Sequence, residues 1–288
     1  MKTSDCISII QNVVNSGDEF VLYRFPEEST PRLILGTALA VHDLSLGFSD
    51  NTLTSGFLFH PFCPNRTCPT LLLTVEKACR GWELIQEYTE GLSHKRVTLC
   101  QIEHHLQRVV PHGTDFRRIY RIFRNQIDRG IFTSLFLSQA IEGDWAENNN
   151  EGMLFVKMCE EYPSDFVYII YTRIGGRWMG HTPRIVLRGG RTRWETISPS
   201  GMRHITYTHD GIQLIKDTLQ IPKEEVAGHP SSLARDFIRL HEGYPRLYYT
   251  GILGPLNLYG ETAMFLNLSC LKQQPNGRAI FYGGTMLK

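Results

Sequence analysis

The stretch "DFVYIIYT" (165–172) limits the architecture available to this chain. It is an apolar run rich in β-branched and aromatic residues, too short for an ordinary helix, and it reads as a strand of the buried type. Such a strand has no polar face to turn to water, so both of its sides need cover. The chain has the material for that cover. Of its 288 residues 42% are hydrophobic, ample for one large core or two small ones.

The neighbouring segments extend the pattern. "EFVLYRF" and "RLILGT" read as strands separated by the polar turn "PEESTP", and "GFLFHPF" and "TLLLTV" as two more joined by "CPNRTCP". The links are short enough for antiparallel pairing. Ahead of them Ser4 or Asp5 caps a short helix with Ile9, Ile10, Val13 and Val14 on one face and Gly17 at its end. From Thr114 the period changes, with Phe116, Ile119, Tyr120, Phe123 and Ile127 on one helix face and Gly130 as the stop. A strand "IFTSLFLSQAI" and a helix through Leu154, Phe155, Met158 and Cys159 follow. "GRWMG", "RIVLR" and "RTRWETI" read as a small antiparallel meander with Gly189-Gly190 at a hairpin turn. "SSLARDFIRLHEG" is a helix. "LYYTGILGPL", "ETAMFLNLSCL" and, after the turn "QPNG", "RAIFYGG" are closing strands. With no repeat, low-complexity tract or long linker, the expectation is one α+β domain over residues 1–288. Its mostly antiparallel sheets would stack in a sandwich with flanking helices.

Charge and motifs exclude several classes. Thirty Lys and Arg against twenty-nine Asp and Glu leave a formal net charge of +1. That balance gives no electrostatic reason to expect nucleic acid or a membrane surface as partner. No run is long and apolar enough to span a bilayer. The N-terminus has no convincing export signal and the seven cysteines form no framework, so reduced thiols in the cytoplasm are expected. The sequons at Asn65 and Asn267 then carry no weight. His60, Cys63 and Cys68 lack a second ligand pair for a metal, and Pro61, Pro64 and Pro69 suit a rigid loop. His104-His105 read as a solvated pair, and Arg117, Arg118, Arg121 and Arg124 as a solvated helix face rather than a phosphate site. No P-loop, dinucleotide fingerprint, serine elbow or HExxH occurs.

The order of segments from Ser134 onward is more informative. "SLFLSQAI", a helix, "YPSDFVYIIY", "GRWMGHTPRIVL", "ISPSG", a capped helix, "YPRLYYTGILG", "FLNLSCL" and "IFYGG" succeed one another. This resembles the C-terminal half of the chorismate-binding enzymes: isochorismate synthase, anthranilate synthase component I and salicylate synthase. The isochorismate synthases of menaquinone biosynthesis look nearest, and "FVLYRFPEE" and "FLFHPF" also fit that subgroup. Residues 113–288 then match the family's catalytic core and 1–112 a strand-rich N-terminal part. The resemblance implies a reaction that adds water to the chorismate ring as the C4 hydroxyl leaves. That chemistry needs a general base, a general acid, a magnesium ion held by carboxylates and donors for the second substrate carboxylate.

Carried over position by position, the resemblance implies a lost site. The family's basic Lys falls on Ser134, four residues before the matching Ser138, and Gln139 stands where the family usually has Arg. The family's acidic Glu falls on Arg184 of "Gly180-His181-Thr182-Pro183-Arg184", and a guanidinium does not give up its proton near neutrality. "A-L-A-G-T" becomes "Ser198-Pro199-Ser200-Gly201-Met202", and the "H-P-T-P" loop falls on "Leu219-Gln220-Ile221-Pro222". The substrate Arg becomes Ser269, beside Cys270. After "Phe281-Tyr282-Gly283-Gly284" the sequence runs out before the family's "E-W-x-E-T-x-K", so a truncated version of the fold is expected. The positions carried over as substrate-binding are Gly180, Gly201, Arg246, Gly251, Ser269, Gly283 and Gly284. No catalytic residue, metal ligand or cofactor is expected, magnesium being the family's.

Three functions follow as expectations. The preferred one is an isochorismate synthase-like protein of the chorismate and menaquinone branch with impaired catalysis. The second is an active isochorismate synthase with a rearranged site drawing on Glu224, Glu225, Glu261 and His204. The third is a binder of a small anion, chorismate or another, through Arg184, Arg203 and Arg246. The segments 180–187 and 251–270 should line one cleft. A protein partner or self-association is expected at an uncovered C-terminal edge around residues 281–286.

Overall fold

A computed structural model describes residues 2–41, 55–91, 113–145, 150–209, 211–220, 223–275 and 277–288, and its strands form two antiparallel sheets. Numbered in chain order, the first sheet runs β13 (Gly228–His229), β7 (Ser134–Asp144), β17 (Arg278–Leu287), β16 (Ser269–Gln273), β9 (Gly176–Thr182), β8 (Phe166–Thr172), β1 (Phe20–Arg24), β2 (Arg32–Leu35) and β6 (Lys77–Arg80). The second runs β12 (Arg203–Tyr207), β11 (Arg193–Ile197), β10 (Ile185–Gly190), β15 (Thr262–Leu266), β14 (Ile252–Leu256), β4 (Gly56–His60), β5 (Thr70–Thr74) and β3 (Ala38–Val41). The chain is thus the α+β sandwich that its pattern implies.

Strand β8 shows why two layers are required. All seven of its residues are buried. Phe166, Tyr168 and Ile170 face the second sheet, against Phe57, Phe59 and Phe265. Val167, Ile169 and Tyr171 face the other way, among Ile9, Val13, Phe155 and Met158 of helices α1 (Thr3–Asn15) and α4 (Glu151–Glu161). Helices α3 (Gly113–Asp128) and α7 (Ser231–His241) cover Leu135 and Leu137 of β7. Helix α5 (Gly211–Gln220) lies over Leu187 and Trp194 of the second sheet. The apolar face of α1 is buried as its spacing requires. On α3, Ile119 and Phe123 are buried but Tyr120 is exposed. No described helix is long and apolar enough to cross a membrane.

Two expected elements are divided. "ETAMFLNLSCL" is not one strand: β15 belongs to the second sheet and β16 to the first, with the chain crossing at Asn267-Leu268. Likewise "GRWMG" and "RIVLR" are not neighbours in a meander, since β9 and β10 lie in different sheets and the crossing is at Pro183-Arg184. The crossings run side by side, with Leu266 N donating to Arg184 O at 2.9 Å. Asn267, fully buried, fixes the second one by accepting from the Tyr168 hydroxyl and donating to Tyr248 O. Gly189 and Gly190 end β10 rather than forming the turn, which is Arg191-Thr192. A Cβ at Gly190 would lie 2.0 Å from Gly260 O, so close approach explains the glycine. Elements β3, β6, β12, α2 (Trp82–Glu90), α5 and α6 (Glu224–Ala227) were not foreseen.

The expected free edge at the C-terminus is corrected as well. β17 pairs with β7 along residues 278–287 and with β16 through 279–282, which makes it an interior strand. Its outward face is nonetheless open, with Phe281 41% and the opposite Ile141 55% exposed.

A buried ion pair fastens the region where α6, α7 and β7 meet. Arg246 Nε donates to Glu242 Oε2 at 2.6 Å and Nη2 to Oε1 at 2.7 Å, with both side chains 1% exposed. The remaining guanidinium hydrogens reach Val226 O, Thr250 Oγ1 and Phe136 O. Glu242 Oε1 also accepts from Ser138 N and Oγ, and Ser138 Oγ meets the Tyr244 hydroxyl. Arg246→Met strands a buried carboxylate and should cost about 3–5 kcal/mol. It should be read as a lower urea midpoint at unchanged slope. Adding Glu242→Leu should recover part of the loss, because the second change removes the stranded charge.

Candidate functional site

The strand registers bring several of the carried-over positions together. Gly283 lies opposite Gln139, and Ser269 lies opposite His181. Because Cys270 is opposite Tyr282, Ser269 and Gly283 are the next positions along β16 and β17. Gln139, Gly283, Ser269 and His181 therefore make a row across β7, β17, β16 and β9. Cys270 and Tyr282 belong to the core between the sheets, so the row before them faces outward.

The glycines differ in what they permit. A Cβ at Gly180 would lie 2.4 Å from Ser269 O, at Gly251 2.1 Å from His60 O, and at Gly284 2.4 Å from the Phe136 ring. At these three positions neighbouring atoms leave no room for a side chain. Gly201 has φ +81° and turns the chain between β11 and β12, with nothing near it. Gly283 alone of the five combines open space above it with a place in the polar row.

Ser134 and Arg184 stand at the positions that the resemblance assigned to base and acid. Ser134 begins β7 opposite His229, and among the described residues no charged side chain is hydrogen-bonded to its hydroxyl. Arg184 Nε donates to Glu225 Oε2 at 2.7 Å, and its two terminal nitrogens bond Ile185 O and Ile197 O. Lys223 lies nearby, where burial holds its ammonium below the ordinary range and Glu225 opposes the shift. Glu224 is paired with His229, Nδ1 to Oε1 at 2.6 Å. A second candidate for the family's "H-P-T-P" loop, "His229-Pro230-Ser231-Ser232", leads into α7. The carboxylates and histidine offered for a rearranged site are dispersed. Glu261 lines the cavity described below, and His204 sits on β12. The three arginines offered for an anion are dispersed too: Arg184 and Arg246 are committed inside the fold, and Arg203 is on β12.

Sequence reading missed the dyad at the end of the polar row. His181 Nδ1 is 2.6 Å from Asp165 Oδ2, and its ring stacks on Tyr162 at 3.8 Å. The carboxylate fixes the tautomer and leaves Nε2 as the free ring nitrogen. A β8–β9 hairpin, which pairs Val167 with His181, would have signalled the contact.

The segments 180–187 and 251–270 do share a cavity, of about 700 Å³, at the other side of the crossings. Pro183 and Ile185 face Pro255, Leu258 and Phe265 across it. Arg188, Arg191, Arg193 and Arg32 line it with Glu28, Glu195 and Glu261. Glu195 bridges Arg188 and Arg193 at 2.7 and 2.6 Å. Among the described residues the Tyr23 hydroxyl, buried at this wall, has no partner within hydrogen-bond distance. Burial pushes the phenol well above its ordinary range, with Arg32 opposing the shift.

Comparison with solved structures places this architecture. An isochorismate synthase assigned to 2,3-dihydroxybenzoate, DhbC from Bacillus anthracis, superposes with a TM-score of 0.67 at 12% identity over 98% of this chain and 92% of that one. MenF, the menaquinone-specific isochorismate synthase of Escherichia coli, gives 0.69 at 15% identity over 94% and 84%. Anthranilate synthase component I from Streptococcus pneumoniae gives 0.62 at 14% identity over 94% and 87%. The fold is that of the chorismate-binding enzymes. No family model matches the chain, and no curated protein sequence does.

The magnesium that this fold's enzymes imply meets a poor donor set here. Magnesium needs carboxylates free to coordinate it. Glu225, Glu224, Glu242 and Asp165 are bound respectively to Arg184, His229, Arg246 and His181. Among the described residues no three of His, Cys, Asp and Glu gather as ligands. The residues present do not fit the ion. The loop at His60, Cys63 and Cys68 is likewise packed rather than ligating: His60 Nδ1 bonds Thr70 Oγ1 at 2.8 Å, and burial raises the Cys68 thiol to about 12. His104-His105 lie outside the described residues.

Burial lowers His60 from 6.5 to about 4. Because its folded value lies below its unfolded one, its contribution to stability is complete above pH 6.5 and falls as pH drops toward 4. The loss is roughly 3 kcal/mol across that window. Urea unfolding as a function of pH should show this slope, and His60→Gln should remove that part of it.

Proposed function

We propose that this chain is an isochorismate synthase-like protein of the chorismate branch that does not interconvert chorismate and isochorismate. The observation that carries the reading is the ion pair between Arg184 and Glu225. The position of the family's acid holds a permanent cation whose charge is already balanced and each of whose nitrogens already donates one hydrogen bond. Ser134, in place of the basic lysine, adds a hydroxyl with no activating partner. Losing an acid or a base costs about 10²–10⁴ in rate each. Carboxylates committed to other cations leave magnesium without its clamp.

The arginine-lined cavity favours a second reading, a binder of a small anion. Its size is in the usual range for small-molecule sites. The reading moves the anion away from the three arginines first considered. Incubation with chorismate and magnesium, followed by chromatography, tests the first reading: no isochorismate is expected, and turnover would overturn it. A saturable rise in melting temperature with chorismate, reduced by Arg188→Gln, is expected from the second. A rise that Arg188→Gln leaves unchanged would exclude that cavity.

Restoring the family's base and acid should not restore activity. In Ser134→Lys with Arg184→Glu, the new carboxylate would stand against Glu225, and like charges disfavour the ionised pair. Substrate would still meet Ser269 instead of an arginine, so no near-attack geometry forms. The expected outcome is undetectable isochorismate and a lower melting temperature. Strong turnover would mean that the site is rearranged rather than lost.

A further inference from the structure

β12 is one of the two edges of the second sheet, β3 being the other. It pairs with β11 on one side, and among the described residues no strand pairs with the other. Natural edges are usually blunted by lysine, proline, a bulge or shortness. The edges of the first sheet follow that rule: β6 carries Lys77 and Arg80, and β13 is two residues long. β12 does not. Its sequence "RHITY" has one charge, at its start, and it exposes Ile205 by 43% and Tyr207 by 75%, next to Met202 at 73%.

We propose that β12 pairs antiparallel with β12 of a second copy of this chain, about a two-fold axis at Ile205, so that the two eight-stranded sheets become continuous. The sequence is complementary to itself in that register. Ile205 meets Ile205, His204 meets Thr206, and Arg203 meets Tyr207, a cation against an aromatic ring. Tyr207 already has Arg193 opposite it on its own sheet, so its ring would lie between two guanidinium groups. Residues 203, 205 and 207 share the face of Glu195, and 204 and 206 share the face of Trp194. A two-fold axis perpendicular to the sheet keeps both faces continuous. A register centred on 203 would set two arginines against each other, and one centred on 204 or 206 would leave strand residues unpaired. The second copy is therefore a better occupant than an arbitrary extended peptide.

Sedimentation velocity over a concentration series should show a monomer–dimer equilibrium. Ile205→Lys places two ammonium groups at the axis and should raise the dissociation constant by at least about tenfold. The residue is exposed, so circular dichroism and melting of the monomer should be unchanged. Cysteine cross-linking reads the register itself. Ile205→Cys should form an intermolecular disulfide on oxidation, beyond any background from the native cysteines. Tyr207→Cys should not, because its two copies would be about 14 Å apart, beyond a disulfide's reach of about 7 Å. Arg203→Cys combined with Tyr207→Cys should link. A monomer at all concentrations, a dimer indifferent to Ile205→Lys, or Tyr207→Cys linking as well as Ile205→Cys would each overturn the proposal.

Discussion

The buried pair of Arg246 and Glu242 determines what the rest of this corner can do. A guanidinium has five hydrogens to place, and here all five have acceptors within the fold. Those acceptors come from β7, from α6, from the residue just past α7 and from the loop leading to β14. The pair thus adds a polar tie between elements that also share a small hydrophobic cluster. Burying two charges costs desolvation that their attraction only roughly offsets, so the pair is better seen as fixing one arrangement than as adding net stability. A consequence follows for function. An arginine so fully used has nothing left for a ligand, whatever its place in a family alignment.

The two crossings explain why the site and the large cavity lie apart. At Pro183-Arg184 and at Asn267-Leu268 the chain leaves one sheet for the other, and the crossings are hydrogen-bonded to each other. On one side of them lies the polar row of Gln139, Gly283, Ser269 and His181 on the outer face of the first sheet. On the other lies the cavity between the sheets. Glycines at the crossings are required by contact, as at Gly180 and Gly251, where backbone oxygens occupy the space of a Cβ. Such glycines are required by the fold itself, whatever chemistry the chain performs.

Much of the fold was legible because burial writes itself into local composition. β8 could be read as covered on both faces, and α1 displayed its apolar stripe. The division of "ETAMFLNLSCL" could not be read. An apolar run looks the same whether it stays in one sheet or changes sheet, and the break depends on Asn267 finding Tyr168 and Tyr248 from distant segments. The site was less legible still. Sequence cannot tell an arginine pointing at substrate from Arg246, two of whose acceptors are backbone oxygens of Val226 and Phe136, far along the chain. His181 and Asp165 were missed for the same reason, since only the hairpin register brings them together.

Arg184 is not simply a missing acid. A bare guanidinium substituted into a half-buried corner would stand uncompensated, and such a charge is costly. Glu225 compensates it, and the carbonyls of Ile185 and Ile197 each accept from one terminal nitrogen. The corner has therefore settled into a neutral, hydrogen-bonded state of its own. Removing Arg184 would leave Glu225 without its partner, and a carboxylate at 184 would set two acids together. Charge balance within the fold therefore ties the residue at 184 to the one at 225.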